Sequence, residues 1–190
     1  MPDLFLDPEG KGDKRVDPAA DIAAFLLSQP GSPLAGEPVP DPDDAAVNDL
    51  IVIYAGKVIG AQAAEAMVDT GGGSIIHIAS IAGIVAMPGN PSYSAAKAGL
   101  RHLSKAMAND FATRNVRINT VCPGYIVTDM TRASYDDPDR QAERSSHTMM
   151  GRWGQPEELL GPCLFLASDA SSYVTGIDLI VDGGWTGKGM

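Results

Sequence analysis

Short apolar runs separated by longer amphipathic stretches set the pattern of the second half of the chain. Residues 74–79 are an apolar run broken only by Ser74 and His77, which predicts a short buried strand. A hydrogen-bonded core position is the expected role of that histidine. Residues 116–121 alternate Val116 and Ile118 with polar positions before Pro123 and Gly124, the pattern of a second strand ending in a turn. Residues 177–181 are apolar and stop at Gly183 and Gly184, which predicts a last strand. Between these lie helical segments. Residues 57–68 are alanine-rich and closed by Gly71, Gly72 and Gly73. Residues 92–112 form a long helix whose small residues Ala95, Ala96 and Gly99 permit close packing. A further helix opens near Arg152, with Pro156 in its first turn. Its apolar side chains Leu160, Cys163, Leu164 and Leu166 are expected to cover the sheet, and residues 169–175 read as a turn.

The first part of the chain is different. Residues 1–48 are rich in proline and acidic residues, and the run 37–44 reads as an extended, solvated linker. Residues 17–27 could form one short helix, capped by Asp17 with Pro18 at its first position. Gly10-Lys11-Gly12 is a lone Gly-x-Gly between charged residues and reads as a loop. The organisation expected is therefore a divergent, largely irregular segment over 1–48 and a folded domain over 49–190.

Composition narrows the function. The 190 residues suffice for one domain with a real core, and 44% hydrophobic with 20% charged content is ordinary for a soluble protein. A formal charge of −10 argues against a sequence-independent grip on nucleic acid or anionic lipid, both of which need basic patches. Cys122 and Cys163 are too few for a disulfide framework and, with no metal-ligand cluster nearby, read as small buried apolar residues. No apolar run approaches the ~18 residues of a membrane span. The acidic, proline-containing N-terminus is unlike a signal peptide, so a cytoplasmic enzyme is expected.

The chemistry centres on residues 80–97. Tyr93 and Lys97 are four apart, on one helix face and one turn from each other. Ser80 ends the first predicted strand. Such a set suits proton transfer to or from an alcohol oxygen. Free tyrosine ionises near pH ~10, so phenolate chemistry near neutrality needs roughly 4 kcal/mol of help. An ammonium ~4 Å away at an effective dielectric of ~20 supplies about that much, before burial takes some of it back. By itself the Tyr-x-x-x-Lys spacing is weak, because such pairs often fall by chance on a solvated helix face.

Its context is specific. Ser80, Tyr93 and Lys97 in this order, with 93 − 80 = 13 positions from serine to tyrosine, resemble the short-chain dehydrogenase/reductase family. Residues 122–128, Cys-Pro-Gly-Tyr-Ile-Val-Thr, look like that family's nicotinamide-side loop, and Val181-Asp182-Gly183-Gly184 looks like its C-terminal strand ending. The tail looks closest to polyol and keto-sugar reductases. The resemblance implies an α/β fold: an incomplete doubly wound, Rossmann-like parallel sheet with helices on both faces and the first βαβ unit missing or divergent. It implies an NAD(P)-dependent oxidoreductase interconverting a secondary alcohol and a ketone. Tyr93 would be the acid/base, Lys97 the group that favours the phenolate and holds the ribose, and Ser80 the donor to the substrate oxygen. The loop at Pro123 and Gly124 would meet the cofactor, NAD or NADP, through the Ile126 backbone and the Thr128 hydroxyl. Residues 129–150 match the position of the substrate lid, where Met130, Met149, Met150 and His147 either line a pocket or simply pack. The expected partners are a small-molecule substrate and further copies of the chain, met through the helix at 92–112.

Two departures leave other readings open. The family's glycine-rich turn, where the pyrophosphate sits at a helix N-terminus, is not found. An asparagine that holds a proton-relay water in the family is replaced by Ile53. The chain therefore also reads as a cofactor-deficient interaction module, or as an incomplete chain without activity. In the latter case Ile51 to Ile53 would present an open strand edge unless residues 3–7 or a partner paired with it.

Overall fold

The structure, a computed structural model, describes residues 60–188. The expectations for residues 1–48, for Ile53 and for the strand edge at Ile51 to Ile53 lie outside the described residues. Helix α1 covers residues 60–69, and β1 is Gly73–Ile78. The long helix α2 is Pro91–Phe111 and leads to β2, Val116–Pro123. Helices α3 (Arg132–Tyr135) and α4 (Pro138–His147) precede α5 (Leu160–Ala167) and the last strand β3 (Asp178–Val181). The strands are parallel in the order β1-β2-β3, with Ile78 opposite Val121 and Thr120 opposite Asp178.

Parallel pairing requires crossovers, and two turns fix where the first begins. Helix α1 ends where Gly71 and Gly72 take φ of +100° and +125°, and Gly72 N–H donates to Met67 O at 2.8 Å. A Cβ at Gly72 would lie 2.3 Å from Asn115 O, so only glycine lets the two turns meet. Asn115 itself sits at φ 62° after α2, and its carbonyl accepts from Gly73 N–H at 3.0 Å as β1 opens. Helix α2 starts at Asn90, whose side chain accepts from Tyr93 N–H at 3.4 Å, with Pro91 in the first turn.

The helices take opposite faces of the sheet, as the period of two along a strand requires. Ile75 and Ile118 pack with Ala64 of α1 and with Met107, Ala108 and Phe111 of α2. His77 points the same way, with Nδ1 2.7 Å from Ser104 Oγ. Ser104 Oγ also lies 2.8 Å from Leu100 O, so the hydroxyl links the ring to the α2 backbone. Burial lowers the pKa of His77 and keeps the ring neutral, the hydrogen-bonded histidine expected from sequence.

On the other face α5 departs from expectation. Of the four side chains expected to cover the sheet only Leu166 is fully buried, while Leu160 and Leu164 are 61% and 67% exposed. The helix is tied down by polar contacts at its C-terminal end instead. Ser74 Oγ donates to Leu166 O at 2.7 Å, and Arg117 donates to Leu166 O at 2.9 Å and to Ser168 O at 3.2 Å. Those bonds anchor one end of an eight-residue helix and leave the rest of its apolar circumference outside. Its first turn is a separate 3-10 turn, Pro156–Leu159. The cysteines are both free; Cys122 is buried and Cys163 only partly so.

One ionic cluster joins α2 to β3. Asp178 Oδ2 accepts from Arg101 Nη2 at 2.8 Å and from Lys105 Nζ at 2.6 Å. Burial pushes the Asp178 carboxyl up, but the hydrogen bonds from Arg101 and Lys105 outweigh it and hold the pKa below the ordinary value. A carboxylate with a depressed folded-state pKa stabilises fully above its unfolded value, ~3.9, and that contribution is lost as pH falls through the folded value. Asp178→Asn is therefore expected to lower the free energy of unfolding by about 2 kcal/mol at neutral pH. Urea denaturation across pH should show the difference between wild type and variant narrowing below pH ~4. A difference that stays constant down to acid pH would mean that the charge contributes nothing.

Candidate active site

The connection from β1 to α2 carries Ser80 and leads into the helix with Tyr93 and Lys97. Ser80 caps the 3-10 turn Ile81–Gly83, its Oγ accepting from Ala82 N–H at 3.1 Å. That turn lies directly on the helix, for a Cβ at Gly83 would fall 2.6 Å from Lys97 C and 2.7 Å from Ala98 N. Arg101 donates to Gly83 O and fastens the turn from the next helical turn along. Lys97 Nζ donates to Ile78 O at 3.2 Å, at the end of β1, and stands 5.5 Å from the centroid of the Tyr93 ring. Ser80, Tyr93 and Lys97 are all half-buried. The described residues show no hydrogen bond between Ser80 and Tyr93; it is Lys97 that reaches the C-terminal end of β1, two residues before Ser80.

The loop after β2 forms the adjacent wall. Pro123 ends β2, and Gly124 N–H donates to Val181 O at 2.9 Å. A side chain at Gly124 would meet Asp182 at 2.8 Å, so the loop and the end of β3 are in backbone contact. Ile126 is bridged to Gly154: Gly154 N–H donates to Tyr125 O at 2.9 Å and Val127 N–H to Gly154 O at 3.0 Å. Thr131 holds the loop from below, its hydroxyl donating to Ile126 O at 2.6 Å and accepting from Thr128 N–H at 2.9 Å. Its Oγ1 is also 3.1 Å from Thr128 Oγ1. Ile126 is buried, yet its N–H has no acceptor among the described residues. An N–H left without a protein acceptor is free to donate to a ligand carbonyl.

The segment matched to a lid is helical. Asp137 caps α4 by accepting from Asp139 and Arg140 N–H at 3.1 and 3.2 Å. Trp153, buried beneath it, stacks with Tyr125 at 5.0 Å and Tyr135 at 5.4 Å between ring centroids. His147 packs on Trp185 at 5.9 Å rather than facing the Ser80 turn. Met149 covers the backbone of Gly184, while Met130 and Met150 are exposed. Lys188 Nζ donates to Thr148 O at 3.2 Å, tying the C-terminal turn to the end of α4. That turn is built on Asp182, which accepts from Gly184 N–H, Thr186 N–H and the Thr186 hydroxyl at 2.8, 2.8 and 2.7 Å. An open concavity lined by Tyr135, Gln141, Arg152, Trp153 and Glu158 is bordered by none of Ser80, Tyr93 or Lys97.

Sequence reasoning missed Gly83, Arg101 and Thr131. The signal for Arg101 was present, because positions 93, 97 and 101 repeat every four and share one helix edge. Nothing in the sequence marked Gly83 or Thr131, whose partners are backbone atoms of other segments. Gly83→Ala is expected to push the Ser80 turn off α2 and lower thermal stability by several degrees, since the atoms it meets are backbone and cannot give. Unchanged melting would show that the turn is not seated on the helix. Thr131→Val should cost about 1–3 kcal/mol in urea denaturation, with Thr131→Ser restoring most of it.

Comparison with known proteins gives the family of the chain. A family model described as enoyl-(acyl carrier protein) reductase matches residues 41–186. The 2-dehydro-3-deoxy-D-gluconate 5-dehydrogenase of Escherichia coli (strain K12) is 43% identical over 117 residues, covering 62% of this chain and 46% of that protein. The gluconate 5-dehydrogenase of Gluconobacter oxydans is 41% identical over 128 residues, 67% of this chain and 50% of that protein. A crystal structure of a gluconate 5-dehydrogenase from Burkholderia cenocepacia, in complex with NADP and tartrate, superposes with a TM-score of 0.69 at 36% identity. It covers 79% of this chain and 59% of that one. A 4-hydroxyisoleucine dehydrogenase complexed with NADH superposes with a TM-score of 0.74 at 29% identity, over 77% of this chain and 61% of that one. The chain spans about half the length of the curated relatives it matches. With the family model matched over most of its length and the same fold found in those structures, the chain belongs to the short-chain dehydrogenase/reductase family.

Proposed function

We propose that the chain is an NAD(P)-dependent oxidoreductase that interconverts a secondary alcohol and a ketone, with residues 49–190 as its dehydrogenase domain. The observation that carries this reading is the seating of the Ser80 turn on α2 beside Tyr93 and Lys97. Ser80 Oγ accepts from Ala82 N–H, which leaves its own proton to donate to a substrate oxygen. Tyr93 gives its phenolic proton to the forming alkoxide in reduction and takes it back in oxidation. Lys97 stands beside the ring as the ammonium that favours the phenolate, and it holds the ribose.

The wall after β2 fits the nicotinamide end of a dinucleotide. The Ile126 N–H, without an acceptor among the described residues, and the Thr128 hydroxyl would hold the carboxamide, with Pro123 and Gly124 turning the loop toward it. When bound, NAD or NADP supplies or accepts the hydride. The glycine-rich turn that holds the pyrophosphate in the family is not found in the sequence. A polyol or keto-sugar is the substrate class supported by the gluconate dehydrogenases among the relatives. Assembly of copies through α2 and a cytoplasmic location complete the reading.

A cofactor-deficient interaction module is the second reading, favoured by the exposed Leu160 and Leu164 on α5 and by Ile53. Calorimetric titration with NADH and NADPH separates the two, and micromolar binding of either is expected. Tyr93→Phe should then lower keto-sugar reduction at least 100-fold, roughly 2.7 kcal/mol, with cofactor affinity within a few-fold of wild type. Neither cofactor binding, to wild type or to an Ile53→Asn variant, would end the enzyme reading.

A further inference from the structure

Among the described residues Arg144 is held by two rings and by no hydrogen bond or ion pair. Its guanidinium carbon lies 4.8 Å from the centroid of Tyr125 and 5.9 Å from that of Trp153. Both rings are fixed: Trp153 is buried and donates from Nε1 to Gln141 O at 3.4 Å, and the two rings touch at 5.0 Å. Stacking uses the face of the guanidinium and leaves its edge, with five N–H donors in one plane, for an acceptor. Among the described residues no carboxylate, carbonyl or hydroxyl takes any of those donors, although the side chain is half-buried. Of the other described arginines of the same region, Arg140 pairs with Asp137, Arg152 pairs with Glu158, and Arg132 is exposed with no ring beside it. Arg144 is preorganised with its donors open, the state in which a planar fork binds a carboxylate through two parallel hydrogen bonds.

Its position joins it to the reacting residues. Tyr125 immediately follows Gly124 of the nicotinamide-side loop. At its other end the Tyr125 hydroxyl reaches Met87 Sδ at 4.0 Å, and Met87 lies on the connection from Ser80 to Tyr93. A single aromatic side chain therefore spans from the wall near the proposed catalytic set to the guanidinium on α4. A substrate oxidised or reduced at Ser80 and Tyr93, with an acidic group several carbons along, would lie across Tyr125 with that group at Arg144.

We infer that Arg144 is a specificity-determining residue that binds a substrate carboxylate, so that the chain takes an acidic polyol or keto-acid in preference to its neutral counterpart. This rests on the oxidoreductase reading for the site, while the binding it describes is measured without turnover. The probes are D-gluconate and D-glucitol, which differ in a carboxylate against a hydroxymethyl group at one end. The chain has two tryptophans, so the full-length Trp185→Phe protein reports on Trp153 alone by fluorescence. Saturable quenching by D-gluconate at a Kd at least tenfold below that of D-glucitol is expected. Arg144→Gln should erase that preference with D-glucitol binding unchanged, and Arg144→Lys, which keeps the charge but not the fork, should fall between. Equal affinity for the two probes in the unsubstituted chain, no binding of D-gluconate, or a preference that survives in Arg144→Gln would overturn the inference. Arg144-dependent gluconate binding without any NAD(P)H turnover would sink the oxidoreductase reading and leave this one standing. Turnover of neutral keto-sugars with no effect of Arg144→Gln would do the reverse.

Discussion

The contact between the Gly83 backbone and the backbone of α2 at Lys97 and Ala98 is the constraint from which the site follows. A turn can come that close to a helix only where neither contributes a side chain at the point of contact. The approach sets the reach of Lys97, whose ammonium meets Ile78 O at the end of β1, and it sets Ser80 three residues before the point of contact. Arg101 locks the arrangement by donating to Gly83 O while it pairs with Asp178 on β3. One side chain thereby connects the serine turn, the helix with Tyr93 and Lys97, and the last strand. The acid/base chemistry proposed for Tyr93 depends on this rigidity, because an ammonium favours a phenolate only where the two are held together.

The same economy governs the far wall. In a parallel sheet the chain leaves every strand at the same end, so loops after β1, β2 and β3 gather there. Gly124 against Asp182 and Ile126 against Gly154 are again backbone contacts, and Thr131 supplies the polar ties that a loop needs when it is buried. Among the described residues these ties leave over the Ile126 N–H, the donor proposed to meet the cofactor.

Above this wall the aromatic group of Tyr125, Tyr135 and Trp153 gives α3 and α4 a fixed base. Helix α4 has no buried residue of its own and is strongly polar, so these rings and the ties to Trp185 and Lys188 hold it in place. A polar helix resting on aromatic residues can carry a cation such as Arg144 into a half-buried position without an ion pair, since the rings replace part of its hydration.

Strand and helix order was legible in the sequence because period and turn chemistry are local: apolar runs at 74–79 and 116–121, glycines at 71–73, Asn90 and Pro91 at a helix start. The spacing of Ser80, Tyr93 and Lys97 was legible for the same reason, since a helix turn and a fixed loop length are counted along the chain. The buried side of α5 was not, because a helix apolar all round carries no period to show which face meets the sheet. Nor were Gly83, Thr131 and the stacking of Arg144, whose meaning lies in atoms from segments distant in sequence. Local pattern determined which elements form and which residues could do chemistry. Tertiary packing alone decided which of them meet, because contact between backbones and the pairing of charges across segments exist only once the chain has folded.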